Sequence, residues 1–179
     1  MTAPSIDDLL QRHRTRIDRV AFAYAKGPAD RDEIAQAIAV QLWRALPRLL
    51  PDLPESSWVY RIALNVAIAH ARSSARRART LAEADVDDLP TAAAPEPEDD
   101  LERLRACLDE FAELDRALVL LWLDGEDHAA IGRVLGLSTT NVGTRLHRLR
   151  QRLREAYERR ARRHDREPRS GDPTLHGHD

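Results

Sequence analysis

The sequence predicts an all-α protein of two small helical domains, and three observations carry that expectation. Composition comes first: 42% of the 179 residues are hydrophobic but only 4% are aromatic, with 7 Gly, a balance of Ala and Leu that suits helices and leaves strands little to build on. Second, apolar residues recur at three-and-four spacing through both halves of the chain. Third, the stretch from Ala82 to Asp100 combines Pro90, Pro95 and Pro97 with acidic residues and has too little apolar patterning for a core. The expected division is therefore a first domain over 5–79, a flexible acidic linker over 80–100, a second domain over 101–160 and a loose tail over 161–179.

The first helix is expected from Ser5 to Lys26, where Ile6, Leu9, Leu10, Ile17, Val20, Ala21 and Tyr24 form one face. Ser5 is its expected cap and Gly27-Pro28 its stop. A second helix starts near Asp30, whose acidic neighbours Asp32 and Glu33 suit the positive end of a helix dipole, buries Ile34, Ile38 and Leu42, and ends at Pro47. Pro51-Asp52-Leu53-Pro54 reads as a loop, since the prolines remove donors and disfavour helix before them. The third helix is expected to be capped by Ser56 or Ser57 and to bury Val59, Ile62, Ala63, Val66 and Ala69, with Arg61, Asn65, Arg72 and Arg76 as the opposite stripe.

The second domain opens with Leu101, Leu104, Leu108 and Phe111 on one face, followed by Leu114, Ala117, Leu118, Leu121 and Trp122, and Gly125 ends that element. The most specific segment is His128 to Arg154, which has the pattern of a helix-turn-helix. Ala129, Ala130, Ile131, Val134 and Leu135 make a short first helix, Gly136 permits the turn, Leu137 plugs the corner and Ser138 caps the second helix. There Val142, Leu146, Leu149 and Leu153 face inward, which leaves Asn141, Thr144, Arg145, Arg148 and Arg152 outside with Thr139 and Thr140 at the leading end. That face suits the major groove: the short polar residues reach base edges and the arginines reach guanine or phosphate.

Net charge is only −2, but the charge is segregated along the chain. Arg72, Arg76, Arg77 and Arg79 form one basic cluster and Arg145 to Arg154 another, while Leu81 to Asp100 holds eight carboxylates and no Lys or Arg. The pattern is that of two basic domains on an acidic tether. At ~3.3 Å per residue the tether reaches about 60 Å, close to two duplex turns of ~35 Å, so the domains could touch separate DNA elements. Cys107 is the single cysteine and is expected to be structural; no Cys/His cluster has zinc-ligand spacing, and no metal or cofactor is expected. No apolar run approaches bilayer length and the N-terminus lacks the order of a secretory signal, so a cytoplasmic chain without membrane insertion is expected.

These motifs, in this order and separation, resemble the extracytoplasmic-function sigma factors over roughly Ile6 to Tyr157. Asp30-Arg31-Asp32-Glu33-Ile34-Ala35-Gln36 is similar to the start of the helix that docks on the polymerase clamp, which implies docking roles for Asp30, Asp32, Glu33 and Gln36. Trp58 to Asn65 is similar to the tryptophan-led helix that binds the melted minus-ten element. The resemblance implies minus-ten roles for Trp58, Arg61, Asn65, Arg72 and Arg76, with Asp52 and Ser56 from the base-capturing loop over Leu50 to Ser57. Ser138 to Arg150 resembles the helix that reads the minus-thirty-five element. The implied architecture is a region 2-like bundle of three or four helices and a region 4-like helix-turn-helix domain, and the implied partners are core RNA polymerase, promoter DNA and an anti-sigma factor. The sequence departs from the family at Ala37, at the Pro51 to Pro54 loop, at Ala130-Ile131-Gly132, and at Asn141 and Gly143, which leaves the preferred promoter sequence open.

Two other readings compete. A helix-turn-helix repressor or activator would act as a symmetric dimer on a palindrome and leaves the first domain unexplained. A sigma-like decoy that occupies an anti-sigma protein would rest on Ala37 and the altered loop. An enzyme is not expected: there is no Gly-rich phosphate loop, metal cluster or nucleophile elbow, and His13, His70, His128 and His147 have no evident triad partners in the sequence.

Overall fold

The computed structural model describes residues 5–48, 54–84 and 100–164. Helices α1 (Ile6–Tyr24), α2 (Pro28–Ala45) and α3 (Glu55–Ala84) pack against one another pairwise as a three-helix bundle. Its core is the expected apolar stripe of α1 and α2, with Leu9, Val20, Ile34, Ile38 and Leu42 fully buried. Each such side chain removed from water contributes about 1.5–3 kcal/mol.

Three boundaries differ from expectation, each for a local reason. Helix α1 stops at Tyr24, because Ala25 is already extended at ψ 148°, and Ser5 makes no side-chain cap bond. Helix α2 begins at Pro28 rather than at Asp30, since proline at the first helical position gives up a donor that has no partner there anyway. Helix α3 starts at Glu55, its first turn closed by Trp58 N–H donating to the Pro54 carbonyl at 3.1 Å, and Ser57 is buried rather than capping. The face it buries is also rotated: Val59, Tyr60, Ala63, Leu64 and Ala67 enter the core with Trp58, whereas Ala69 is exposed and Ile62 and Val66 lie at its edge. Helix α3 continues to Ala84, past the expected start of the linker; Asp52 and most of the linker lie outside the described residues.

The second domain holds α4 (Asp100–Asp109), α5 (Glu113–Leu123), α6 (His128–Leu135) and α7 (Thr139–His164). Helices α5 and α6 pack on α7, and α4 closes the far end against it. Leu108, Phe111, Leu118, Leu121, Ile131, Val142, Leu146 and Leu149 form the core with Cys107, while Leu101 and Leu114, expected inside, are exposed. The two domains are not held apart. Helix α3 packs on α6 and α1 on α4, so that the buried apolar cluster runs without a break from one domain into the other. Among the described residues no strand occurs, and no helix is long and apolar enough to cross a membrane.

Candidate nucleic-acid interface

The helix-turn-helix is built from four local devices. The Asp127 carboxylate accepts the Ala130 N–H at 2.7 Å and caps α6, and that bond holds its carboxyl below the ordinary range. Gly136 ends α6 in the left-handed region at φ 70°, where a side chain would be strained. Leu137 N–H donates to the Gly132 carbonyl at 3.0 Å, folding the turn back over α6. Ser138 Oγ accepts the Asn141 N–H at 3.2 Å and caps α7. Gly132 sits beneath this turn, and a Cβ there would come within 2.6 Å of the Leu137 carbonyl oxygen.

On α7, Val142, Leu146, Leu149 and Leu153 are buried, and Thr139, Thr140, Asn141, Thr144 and Arg148 are exposed. Thr144 turns its hydroxyl to the Thr140 carbonyl at 3.0 Å. Arg145 is half-buried and pairs with Asp115 at 3.2 Å, whereas Arg152 stays exposed with its guanidinium 4.9 Å from the centre of the Phe111 ring. The exposed face therefore holds the leading turn, Arg148 and Arg152, with Arg145 set back.

On α3, Arg61, Asn65, Arg72 and Arg76 share one exposed stripe. Trp58 is set apart from it in the bundle core at 8% exposure, and Ser56 is half-buried at the helix start. That start is anchored by Glu55, which accepts from Arg12 at 3.0 Å and pairs with the buried His13 at 2.8 Å. Burial pushes the Glu55 carboxyl up, but the hydrogen bonds from His13 and Arg12 outweigh it and hold the group below the ordinary range. Two members of the stripe are already engaged. Arg61 donates to the Arg133 carbonyl on α6, and Arg72 Nε reaches both Glu113 oxygens at 2.9 and 2.8 Å.

On α2 the acidic residues divide. Asp30 turns inward, accepting the Lys26 N–H at 2.8 Å and pairing with His70 of α3 at 2.6 Å; those bonds overcome the upward push of burial and hold its carboxyl low. Asp32, Glu33 and Gln36 stay exposed, and the stripe continues through Val40 and Trp43, which is 61% exposed. Sequence reasoning missed these two, although both fall off the Ile34, Ile38, Leu42 register. It also missed the carboxylate partners of His13 and His70, which come from residues about forty positions away. Asp30, Glu33 and His70 bring ligand atoms within 4.8 Å of one another, but His70 Nε2 is engaged by Asp30 and the Glu33 oxygen stands 3.9 Å off on an exposed side chain, the geometry of an ion pair.

This arrangement matches known proteins along both domains. The Sigma-70 region 2 family covers residues 9–77 and Sigma-70 region 4 covers 101–153. The chain is 32% identical to the ECF RNA polymerase sigma factor SigE of Mycolicibacterium smegmatis over 85% of its own length and 61% of that protein's. It is 29% identical to the RNA polymerase sigma factor CarQ of Myxococcus xanthus, over 84% and 88% of the two chains. Among solved structures, CnrH in complex with the cytosolic domain of CnrY superposes with a TM-score of 0.64 at 25% identity, covering 86% of this chain and 87% of that one. With an outer arginine stripe on α3, a helix-turn-helix at α6 and α7 and these relatives, the chain belongs to the extracytoplasmic-function sigma factor family.

Proposed function

We propose that the chain carries core RNA polymerase to promoters and opens them, with α2 docking on the polymerase, α3 taking the melted minus-ten strand and α7 reading the minus-thirty-five element. The observation that carries the reading is the pairing, on one chain of this family, of an exposed Arg61, Asn65, Arg72, Arg76 stripe with an exposed Thr139 to Arg148 reading face. Guanidinium and amide groups along two turns of helix suit single-strand phosphates and unstacked bases, where stacking and cation–π contacts are worth ~1–3 kcal/mol per base. Opening then needs no covalent chemistry: binding energy offsets an unpairing cost of a few kcal/mol.

Within that reading the residues have distinct parts. Asp32, Glu33 and Gln36, extended by Val40 and Trp43, form the polymerase-docking stripe, while Asp30 fixes α2 to α3 through His70. Trp58, buried, sets the position of α3; Ser56, in its first turn, and Asp52 ahead of it are assigned to holding the flipped base. Thr139, Thr140, Asn141 and Thr144 face base edges, Arg148 and Arg152 are the exposed cations, and Arg145 joins them only by leaving Asp115. A protein partner that restrains the chain is part of the proposal, supported by the solved complex of CnrH with CnrY.

The test is run-off transcription with core polymerase on a promoter selected from random DNA. Arg61→Ala and Asn65→Ala are expected to lose strand opening with promoter binding largely kept, and Arg148→Ala to weaken promoter binding by about tenfold, within the usual range for a base-edge contact. Equal activity in all four proteins would overturn the site assignments.

A further inference from the structure

A cleft of about 440 Å³ opens where α3 passes the end of α1 and the start of α5. That volume is within the range of small-ligand sites. From α3 come Ala71 and Ala75 with Arg72, Arg76 and Arg79; α1 adds Tyr24, and α5 adds Glu113 and Arg116. Four arginines therefore meet at one concavity with a single carboxylate among them. That carboxylate is already neutralised, since Arg72 Nε reaches both Glu113 oxygens at 2.9 and 2.8 Å.

The remaining cations have donors to spare. Arg76 and Arg79 are exposed, and their side chains meet no acceptor among the described residues. Arg116 is held in place: Nη1 donates to the Ala23 carbonyl at 3.2 Å and pairs with Asp109 at 3.0 Å, and the guanidinium lies over the Tyr24 ring at 5.1 Å. Its side chain is 13% exposed, and its Nε is buried with no acceptor among the described residues. A buried donor without a partner carries a cost that an incoming anion would relieve. Tyr24 is fixed as well, its hydroxyl donating to the Glu113 carbonyl at 3.1 Å. Arg72, Arg76 and Arg79 follow one another at i, i+4 and i+7, which spreads them over about 10 Å of helix axis. That span is too long for one phosphate and suits a chain of two or three.

We propose that this cleft binds a small polyphosphate anion, with Arg76, Arg79 and Arg116 as its principal donors. Guanidinium groups present paired N–H donors that match phosphate oxygens, and their charge-assisted bonds are about twice as strong as neutral ones. Arg79 and Arg116 lie outside the stripe assigned to the melted strand, and Arg116 and Tyr24 come from helices other than α3. Walls from three helices suit a short ligand, whereas an extended strand needs an open track. Arg72 and Arg76 belong both to the cleft and to the stripe, so a ligand held there competes with the strand. That competition rests on the minus-ten assignment; the anion site itself does not.

The experiment titrates the full chain with pyrophosphate, orthophosphate, ATP and adenosine by calorimetry, in the wild type and in Arg79→Ala, Arg116→Gln and Arg61→Ala. Circular dichroism reads helicity, and fluorescence anisotropy of a labelled dT12 strand reads competition. Pyrophosphate and ATP are expected to bind about tenfold more tightly than orthophosphate, and adenosine not to bind. Arg79→Ala and Arg116→Gln are each expected to weaken pyrophosphate binding about tenfold, the worth of one hydrogen bond to a charged group, and Arg61→Ala to leave it unchanged. Arg79 is exposed, so its replacement tests the site without endangering the fold. ATP binding more tightly than pyrophosphate assigns the site to a nucleotide, and equal affinity assigns it to the phosphate chain alone. Orthophosphate binding as tightly as pyrophosphate, or pyrophosphate binding unchanged in both Arg79→Ala and Arg116→Gln, overturns the site. Bound pyrophosphate that fails to displace dT12, while Arg61→Ala still weakens dT12 binding, overturns the competition and leaves the minus-ten assignment standing. Indifference of dT12 binding to Arg61→Ala removes the minus-ten assignment and leaves the anion site intact.

Discussion

Gly132 has no room for even one more carbon, because the Leu137 carbonyl would lie 2.6 Å from it and belongs to the backbone of the turn. Gly132→Ala is expected to destabilise the second domain by about 1–3 kcal/mol, as overpacking does in well-filled interiors, and a thermal melt would read the loss. Had the turn slack to move aside, the melt would not shift. Acid sensitivity is also decided residue by residue. Asp30, Glu55 and Asp127 each have a carboxyl held below its ordinary value in the folded chain, so each contributes stability that is fully present above the unfolded value and disappears as pH falls through the folded one. Wild-type stability is therefore expected to fall as pH drops from about 5 toward 3, and Asp30→Asn/Glu55→Gln to fall less steeply over the same window in urea titrations. Parallel curves would show that these pairs do not set the acid limit.

At the scale of the element, α2 presents Gln36, Val40 and Trp43 outward, and an indole at 61% exposure is large enough to anchor a protein contact. Trp43→Ala is expected to weaken binding to core polymerase by roughly 1–2 kcal/mol, read by competition against the wild type, with the melting temperature unchanged. An unaltered competition curve would take Trp43 out of the docking stripe. Helices were legible in the sequence where their apolar period was long, as in α1, α2 and α7, and the helix-turn-helix was legible because Gly136, Leu137 and Ser138 each have a distinct local task. Periodicity failed where a helix faces two partners. Helix α3 buries a wider and rotated arc because it supports the bundle on one side and α6 on the other, which a single amphipathic stripe does not describe. The caps of α1 and α3 were misread for a simpler reason: Ser5 makes no side-chain cap bond and Ser57 is buried in the core.

For the whole molecule, the sequence announced two basic halves but not that they meet. The hydrogen bonds that join them connect residues 41 to 105 positions apart, such as Arg72 with Glu113 and Arg19 with Asp124, and such pairs leave no spacing to detect. The charge count misled in the same way, since two arginines of the candidate reading faces, Arg72 and Arg145, answer carboxylates of the chain itself. One feature of the architecture bears on the DNA contacts proposed for the first domain. Helix α3 is an uninterrupted rod of 30 residues, about 45 Å long, held by the bundle from Glu55 to Ala71. It behaves as a cantilever: a tilt of ~5° at the root would swing the far end by roughly 2 Å and Arg76 by about 0.7 Å, enough to lengthen a hydrogen bond there. Packing at Val59, Ala63 and Ala67 thereby aims side chains that never touch it.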